Sequence, residues 1–316
     1  MAETIYDVIV VGAGPAGLSA AIYTTRRALK TLLISKDIGG QASLTDEIEN
    51  YPGFDKIGGM ELMQKFQTQA KSFGAEFMFT EVTDLKKTGD LFLLKTTDNK
   101  ELQAKAVILA FGLTPRNLEV PGEKELTGKG VTYCATCDGP LYKGKNVVVV
   151  GGGNSALDAA EFLSHLAKQV YLIHRRDTFR GEQILIDQVK EAKNVEIIYN
   201  ANTTAIKGEN NVTGLSYKTN DGQAVDLEVD GVFIEIGHVA KTQWLGDAVI
   251  YTDRKEIEIS VDCETKTPGL FAAGDVTQIT YKQVVISAGE GAKAALQAYR
   301  FLQGDKALAP DWKKSK

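Results

Sequence analysis

Short apolar runs broken by glycine recur along the chain. The first, Val8 to Val11, is β-branched throughout. Such a run, bounded by turn residues, predicts a strand buried on both faces of a parallel sheet. It stops at Gly12. From Pro15 an alanine-rich stretch predicts a helix, and Leu32 to Ile34 predict a second strand. The same plan returns in mid-chain, with a strand over Val147 to Val150, a glycine turn, a helix to about Ala167 and a strand from Val170 to Ile173. A third pattern comes late. Leu270 to Ala273 predict a short buried strand ending at Gly274-Asp275, and a helix runs from about Gln283 to Leu302. Strands alternating with helices in this way predict an α/β fold with two Rossmann-like dinucleotide-binding domains.

The late segment has a strand and a helix but no glycine fingerprint of its own. The economical topology returns it to the first domain, with the second domain inserted between. The expected division is 1–116 for the first part of one domain, 117–243 for the inserted domain and 244–316 for the second part of the first. The crossings fall in "FGLTPRNLEVPGE" and "GHVAKTQWLG", both rich in turn residues. The tail "APDWKKSK" is polar and expected to be loose.

Composition narrows the function. The 316 residues are 43% hydrophobic with a formal net charge of -5, so no basic footprint for nucleic acid is present. No apolar run approaches the roughly 18 residues of a membrane span. "MAETIYDVIVVGAG" leads directly into a strand without a secretory pattern. The expectation is a cytoplasmic protein. Only three cysteines occur, Cys134, Cys137 and Cys263, too few for a disulfide scaffold of the secreted kind.

Gly12, Gly14 and Gly17 make G-x-G-x-x-G, with Pro15 and Ala16 inside it. The first glycine permits the turn, the second lets a pyrophosphate approach the backbone, and the third lets helix and strand pack. Gly151, Gly153 and Ala156 repeat the pattern as G-x-G-x-x-A, with Asn154 and Ser155 opening the next helix. An acid about 20 residues further on would bind ribose hydroxyls. In the first unit that place is near Ser35. In the second it is His174, within "HRRDTFRGE", which supplies Arg175, Arg176 and Arg180. Three guanidinium groups and no acid suit a 2′-phosphate, so the second site is expected to take NADPH.

Cys134 and Cys137 form a CxxC pair 14 residues before Gly151. Such surroundings lower a thiol pKa. Asp138 follows the second thiol and reads either as a proton donor or as a turn residue before Gly139. A zinc site needs four ligands, and one CxxC with three scattered histidines does not supply them; no metal is expected. Cys263, in "ISVDCETKTPG", reads as a small buried filler. Because a disulfide does not readily accept hydride directly, a flavin relay is expected, which assigns FAD to the first site.

These motifs resemble the low-molecular-weight, bacterial-type thioredoxin reductases over nearly the whole chain. The resemblance is carried by "GAGPAG", "GGQ" at Gly39 to Gln41, "EIENYPG", "YCATCDGPLYKGK", "GGGNSALDAA", "HRRDTFR" and "FAAGDV". It implies electrons passing from NADPH to FAD, to the Cys134–Cys137 disulfide and then to thioredoxin, in a homodimer. It implies that Cys137 faces the flavin, Cys134 attacks the acceptor disulfide and Asp138 is the general acid. On the FAD side it implies the Gly12–Gly17 turn, Ser35, Gly40, Gln41, Asn50, Val82, Ala110 and Gly112. The C-terminal segment adds Gly274, Asp275, Lys282, Gln283 and Val284. It further implies that the inserted domain rotates about linkers near Pro115–Val120 and Gly237–Leu245, since disulfide and NADPH must both reach one flavin. The chain departs from the family pattern at Phe111, at Ala240 and Lys241, and at Glu235, which needs a partner if buried. Its C-terminal part also looks like the flavoprotein component of alkyl hydroperoxide reductase. The alternative acceptor is therefore a glutaredoxin-like or peroxiredoxin-linked protein.

Overall fold

The computed structural model describes residues 4–45 and 47–304; the tail expected to be loose lies outside the described residues. The chain begins with β1 (Ile5–Val11), α1 (Pro15–Arg26), β2 (Thr31–Ser35), α2 (Gly59–Ser72) and β3 (Glu76–Phe79). A hairpin, β4 (Val82–Thr88) and β5 (Leu91–Thr96), leads into the long β6 (Glu101–Leu109). These strands form a sheet in the order β3-β2-β1-β6-β5-β4, parallel on the β1–β3 and β1–β6 side and antiparallel across the hairpin.

The alternation along β1 explains its apolar run from Val8 to Val11. Val8 and Val10 face a core shared with Leu18, Met63 and Ala294, whereas Ile9 and Val11 face one shared with Phe92, Leu94 and Leu270. Both faces are covered from Val8 to Val11, which leaves that run apolar, while Asp7 before it is only half-buried and pairs with Lys105.

After β6 comes β7 (Thr114–Pro115), and then the chain builds a second body. It contains β8 (Val131–Thr132), α3 (Ala135–Asp138), β9 (Asn146–Gly151), α4 (Asn154–Ser164), β10 (Gln169–Ile173), α5 (Gln183–Glu191) and β11 (Val195–Ile198). An antiparallel meander follows, β12 (Ala201–Gly208), β13 (Val212–Thr219) and β14 (Ala224–Leu227), then β15 (Gly231–Glu235). The parallel sheet here runs β11-β10-β9-β15-β8. Val147 and Val149 pack against α4; Val148 and Val150 pack under the meander. The helix expected to reach about Ala167 ends as regular helix at Ser164 and continues as a turn.

The chain returns through β16 (His238–Val239), which pairs antiparallel with β7. The two crossings thus form one ribbon. β17 (Leu270–Ala272) then joins the first sheet beside β6, where β5 has peeled away, and α6 (Val284–Gln303) packs on α1. The approach is close enough that a Cβ on Gly291 would stand 1.9 Å from the Ala16 carbonyl oxygen. The last segment therefore completes the first body, as its lack of a fingerprint implies. Among the described residues no helix is long and apolar enough to cross a membrane.

Candidate active site

Two glycine turns and a disulfide define the site. At the first turn, Gly12 has φ +108°, a conformation that disfavours side chains. A Cβ on Gly17 would lie 1.8 Å from the Gly12 carbonyl oxygen. α1 then starts with Pro15 in its first turn and no side-chain cap on its amides, the arrangement that receives a phosphate.

Some of the residues expected on this side pack against the turn and others bond around it. Gly40 approaches the Gly14 backbone, Gly274 approaches Ala16, and the Ala110–Phe111 backbone lies behind Gly12. Gln41 Nε2 donates to Leu113 O at 2.5 Å, and Asn50 Nδ2 donates to Gln283 Oε1 at 3.1 Å. Gln283 is the N-cap position of α6 and leaves that helix start without a side-chain cap; Val284 follows it. Asp275 accepts from Ser287 Oγ at 2.9 Å, and burial raises its pKa. Lys282 donates to the Asp275 and Thr277 carbonyls and pairs with Glu256 at 3.1 Å. Ser35 ends β2. Val82 buries its side chain in the sheet's far core, so it offers a ligand backbone alone. Phe111 turns its ring onto Trp244, with centroids 5.4 Å apart, and leaves the turn itself unobstructed. Bare glycine backbone and two uncapped helix starts fit a dinucleotide such as FAD.

At the second turn, a Cβ on Gly151 would lie 2.4 Å from the Glu235 carbonyl oxygen. α4 begins after Gly153 without a side-chain cap, at Asn154 and Ser155. The Asn154 side chain is committed to Glu182, donating to Oε1 at 3.0 Å and accepting from the backbone N–H at 2.8 Å. Arg180 N donates to Gly152 O at 2.8 Å, which ties the arginine loop to the turn. Arg175, Arg176 and Arg180 are exposed and pair with no carboxylate among the described residues. Those guanidinium groups fit a 2′-phosphate.

His174 lies beneath the arginine loop. Its ring is 5% exposed, lies under Gly152, stacks on Phe179 at 5.3 Å and is within 2.9 Å of the Thr178 carbonyl through Nε2. Burial lowers its pKa, and Arg176 and Arg180 add to the effect. It supports the arginine loop from beneath, held by the Thr178 carbonyl and the Phe179 ring.

Cys134 and Cys137 are joined as a disulfide, their Cα atoms 5.3 Å apart. Cys134 is the N-cap of α3, and its Sγ accepts the Cys137 N–H at 3.2 Å. Asp138 closes α3 and accepts from the Thr132 hydroxyl. β8 lies beside β15, with Thr132 opposite Phe233, and β15 lies beside β9, with Glu235 opposite Gly151. One sheet end thus carries both the disulfide and the second glycine turn. Cys263 is buried, and burial pushes its thiol up to about 12, which suits a packing role.

Sequence reasoning missed Glu123. Its buried carboxylate accepts from Leu118 N at 2.9 Å, Glu119 N at 2.7 Å and Tyr133 Oη at 2.9 Å. It fastens the first crossing to the residue before Cys134. The only sequence signal is an acid beside Pro121-Gly122, which also reads as an ordinary turn.

The family model described as pyridine nucleotide-disulphide oxidoreductase matches residues 6–291. The chain is 40% identical over 304 residues to the thioredoxin reductase of Bacillus subtilis (strain 168), covering 95% of this chain and 96% of that one. It is also 40% identical over 303 residues to the F component of alkyl hydroperoxide reductase from Escherichia coli (strain K12), covering 94% of this chain but 58% of the relative. The chain therefore spans little more than half of that relative's length. The crystal structure of thioredoxin reductase from Streptococcus pyogenes MGAS5005 superposes with a TM-score of 0.91 at 36% identity, covering 96% of this chain and 99% of that one.

Proposed function

The chain belongs to the pyridine nucleotide-disulphide oxidoreductases, and we propose that it is an NADPH-dependent, FAD-containing reductase whose Cys134–Cys137 disulfide passes electrons to a thioredoxin. The observation that carries this reading is the shared sheet end, where β8, β15 and β9 bring the disulfide beside the NADPH turn. FAD, when bound, relays two electrons between a nicotinamide and a disulfide.

The chain's own residues have distinct tasks. The Gly12–Gly17 turn and the start of α1 hold the FAD pyrophosphate, while Gln41, Asn50 and Asp275 orient the remainder. Arg175, Arg176 and Arg180 hold the 2′-phosphate of NADPH. Asp138 supplies a proton to a nascent thiolate as the disulfide takes up two electrons and two protons. The Cys134 thiolate then attacks the acceptor disulfide, and Cys137 resolves the mixed disulfide, leaving two acceptor thiols and the enzyme disulfide.

The proposed domain division falls at 116/117 and 243/244, and the ribbon of β7 and β16 joins the two crossings. Glu123 pins Leu118 and Glu119 to the inserted domain. On the other crossing Thr242, just before the 243/244 boundary, bonds to Lys255 O and Tyr251 Oη of the first domain. Rotation is therefore confined to about Thr114–Asn117 and Gly237–Lys241. A cytoplasmic homodimer completes the reading.

The test is a panel of oxidised acceptors, with a thioredoxin, a glutaredoxin-like protein and a peroxiredoxin-linked dithiol protein each offered with NADPH and with NADH. Reduction of thioredoxin by NADPH is expected. Normal flavin content with no thioredoxin reduction overturns the reading, and turnover of another acceptor alone selects the alternative that the likeness to alkyl hydroperoxide reductase favours.

A further inference from the structure

Glu235 is an acid at the end of an otherwise apolar strand, VFIE. Its backbone and side chain face two different parts of the site. The backbone lies opposite Gly151 in register, and its carbonyl oxygen fills the space that a Cβ on Gly151 would need. The side chain reaches the redox helix, where Oε1 accepts the Ala135 N–H at 3.3 Å. Ala135 is the first residue of α3, directly after Cys134. The Cys134 sulfur accepts the Cys137 N–H of the same turn. A sulfur and a carboxyl group therefore share the amides at one helix start.

We propose that Glu235 is a positioning residue of the redox pair, fixing the start of α3 against the NADPH turn and, by its charge, opposing formation of the Cys134 thiolate. The inference rests on the reading of Cys134 and Cys137 as a redox pair.

When the pair is reduced, Cys134 ionises by losing the thiol proton to solvent. The Cys137 N–H, which points at the Cys134 sulfur, favours the resulting thiolate. A carboxylate on the neighbouring amide disfavours it, as like charges at close range do. Burial pushes the Glu235 carboxyl up to about 8, and the charge of Asp158 on α4 acts in the same direction. Around Asp158 stand two more acids, Glu161 and Glu182. On α3 the other acid, Asp138, is bonded to Thr132; β9 contributes Gly151, which carries no charge. No lysine or arginine pairs with Glu235 among the described residues. At neutral pH Glu235 is therefore mostly protonated, holds Ala135 through its carbonyl oxygen and leaves the thiolate unopposed. Above pH 8 the carboxylate accumulates and thiol ionisation becomes harder. Thiol and carboxyl titrate as a coupled pair.

The experiment measures the rate of alkylation of the reduced holoenzyme across pH, for the unsubstituted chain, Glu235→Gln and Glu235→Leu, after reduction with dithiothreitol and its removal. The Gln side chain keeps the acceptor for Ala135 but cannot ionise. Its profile should have a midpoint lower by up to about one unit, and alkylation near pH 9 should be faster by as much as about tenfold. The unsubstituted chain should titrate over a broader range. Glu235→Leu, which loses the acceptor as well, should have a midpoint above that of Glu235→Gln. Overlapping profiles for the unsubstituted and Gln proteins overturn the role of the charge. Overlap of Leu with Gln overturns the positioning role. A pair that stays unreactive in the unsubstituted chain overturns the redox reading and this inference with it.

Discussion

Tyr133 Oη donates to Glu123 Oε1 at 2.9 Å, one residue before the redox pair. The same carboxylate takes the N–H groups of Leu118 and Glu119. The first crossing is thereby attached to the strand that delivers Cys134. Glu123→Ala strands three donors, two of them on the crossing, at about 1–3 kcal/mol for each that stays buried. A melting temperature lowered by several degrees is expected, with reduced turnover. Unchanged thermal unfolding would show that the crossing does not depend on this carboxylate.

Gly17 cannot take a side chain while Gly12 keeps its turn. Gly17→Ala should therefore force α1 away from β1 and open the phosphate cradle. The expected outcome is loss of bound flavin, read from the visible spectrum of the purified protein. A flavin content equal to that of the unsubstituted chain would contradict the assignment of this turn.

The arginine loop predicts the choice of nucleotide. Charge-assisted hydrogen bonds contribute about 1.5–3 kcal/mol each. Replacing Arg175, Arg176 or Arg180 singly by Gln should raise KM for NADPH by about tenfold or more and leave KM for NADH nearly unchanged. Steady-state kinetics with both nucleotides decides this. Equal loss with both would mean that the loop acts through folding alone.

Cys137→Ser removes one sulfur of the disulfide without touching either glycine turn. Flavin reduction by NADPH in stopped flow should persist, while disulfide reduction should disappear. Retained reduction of an acceptor would refute the relay through this pair.

Glu235 also predicts a pH dependence of stability. Its carboxyl rises from 4.5 to about 8 in the folded chain. Between those values the folded state holds a proton that the unfolded state has released. The stabilisation is thus complete below about pH 4.5 and is lost as pH rises through 8, by at most about 1.4 kcal/mol per pH unit. Glu235→Gln removes this loss. Denaturant melts at pH 5 and pH 8 should show the Gln variant gaining on the unsubstituted chain at the higher pH. An equal difference at both values would rule the titration out.

The local patterns of this chain were enough to place both glycine turns, the strands that feed them and the CxxC pair. Each of these depends on residues adjacent in sequence, through strand periodicity, turn conformation and helix starts, so local chemistry writes it legibly. The return of the last segment to the first sheet was also legible, because an apolar strand and an alanine-rich helix without a fingerprint need an existing sheet to complete. Other features depended on distant residues meeting. Nothing local tells that His174 is roofed by Gly152 and stacked on Phe179, that Phe111 turns to Trp244, or that Glu123 gathers three donors from two segments. Glu235 shows the division most directly. Its sequence marks only an acid at the end of an apolar strand. The register of β15 against β9, and of β8 against β15, sets its backbone on one reactive turn and its carboxyl on the other. Register is fixed by burying both faces of a sheet at once, which no single stretch of the chain can specify alone.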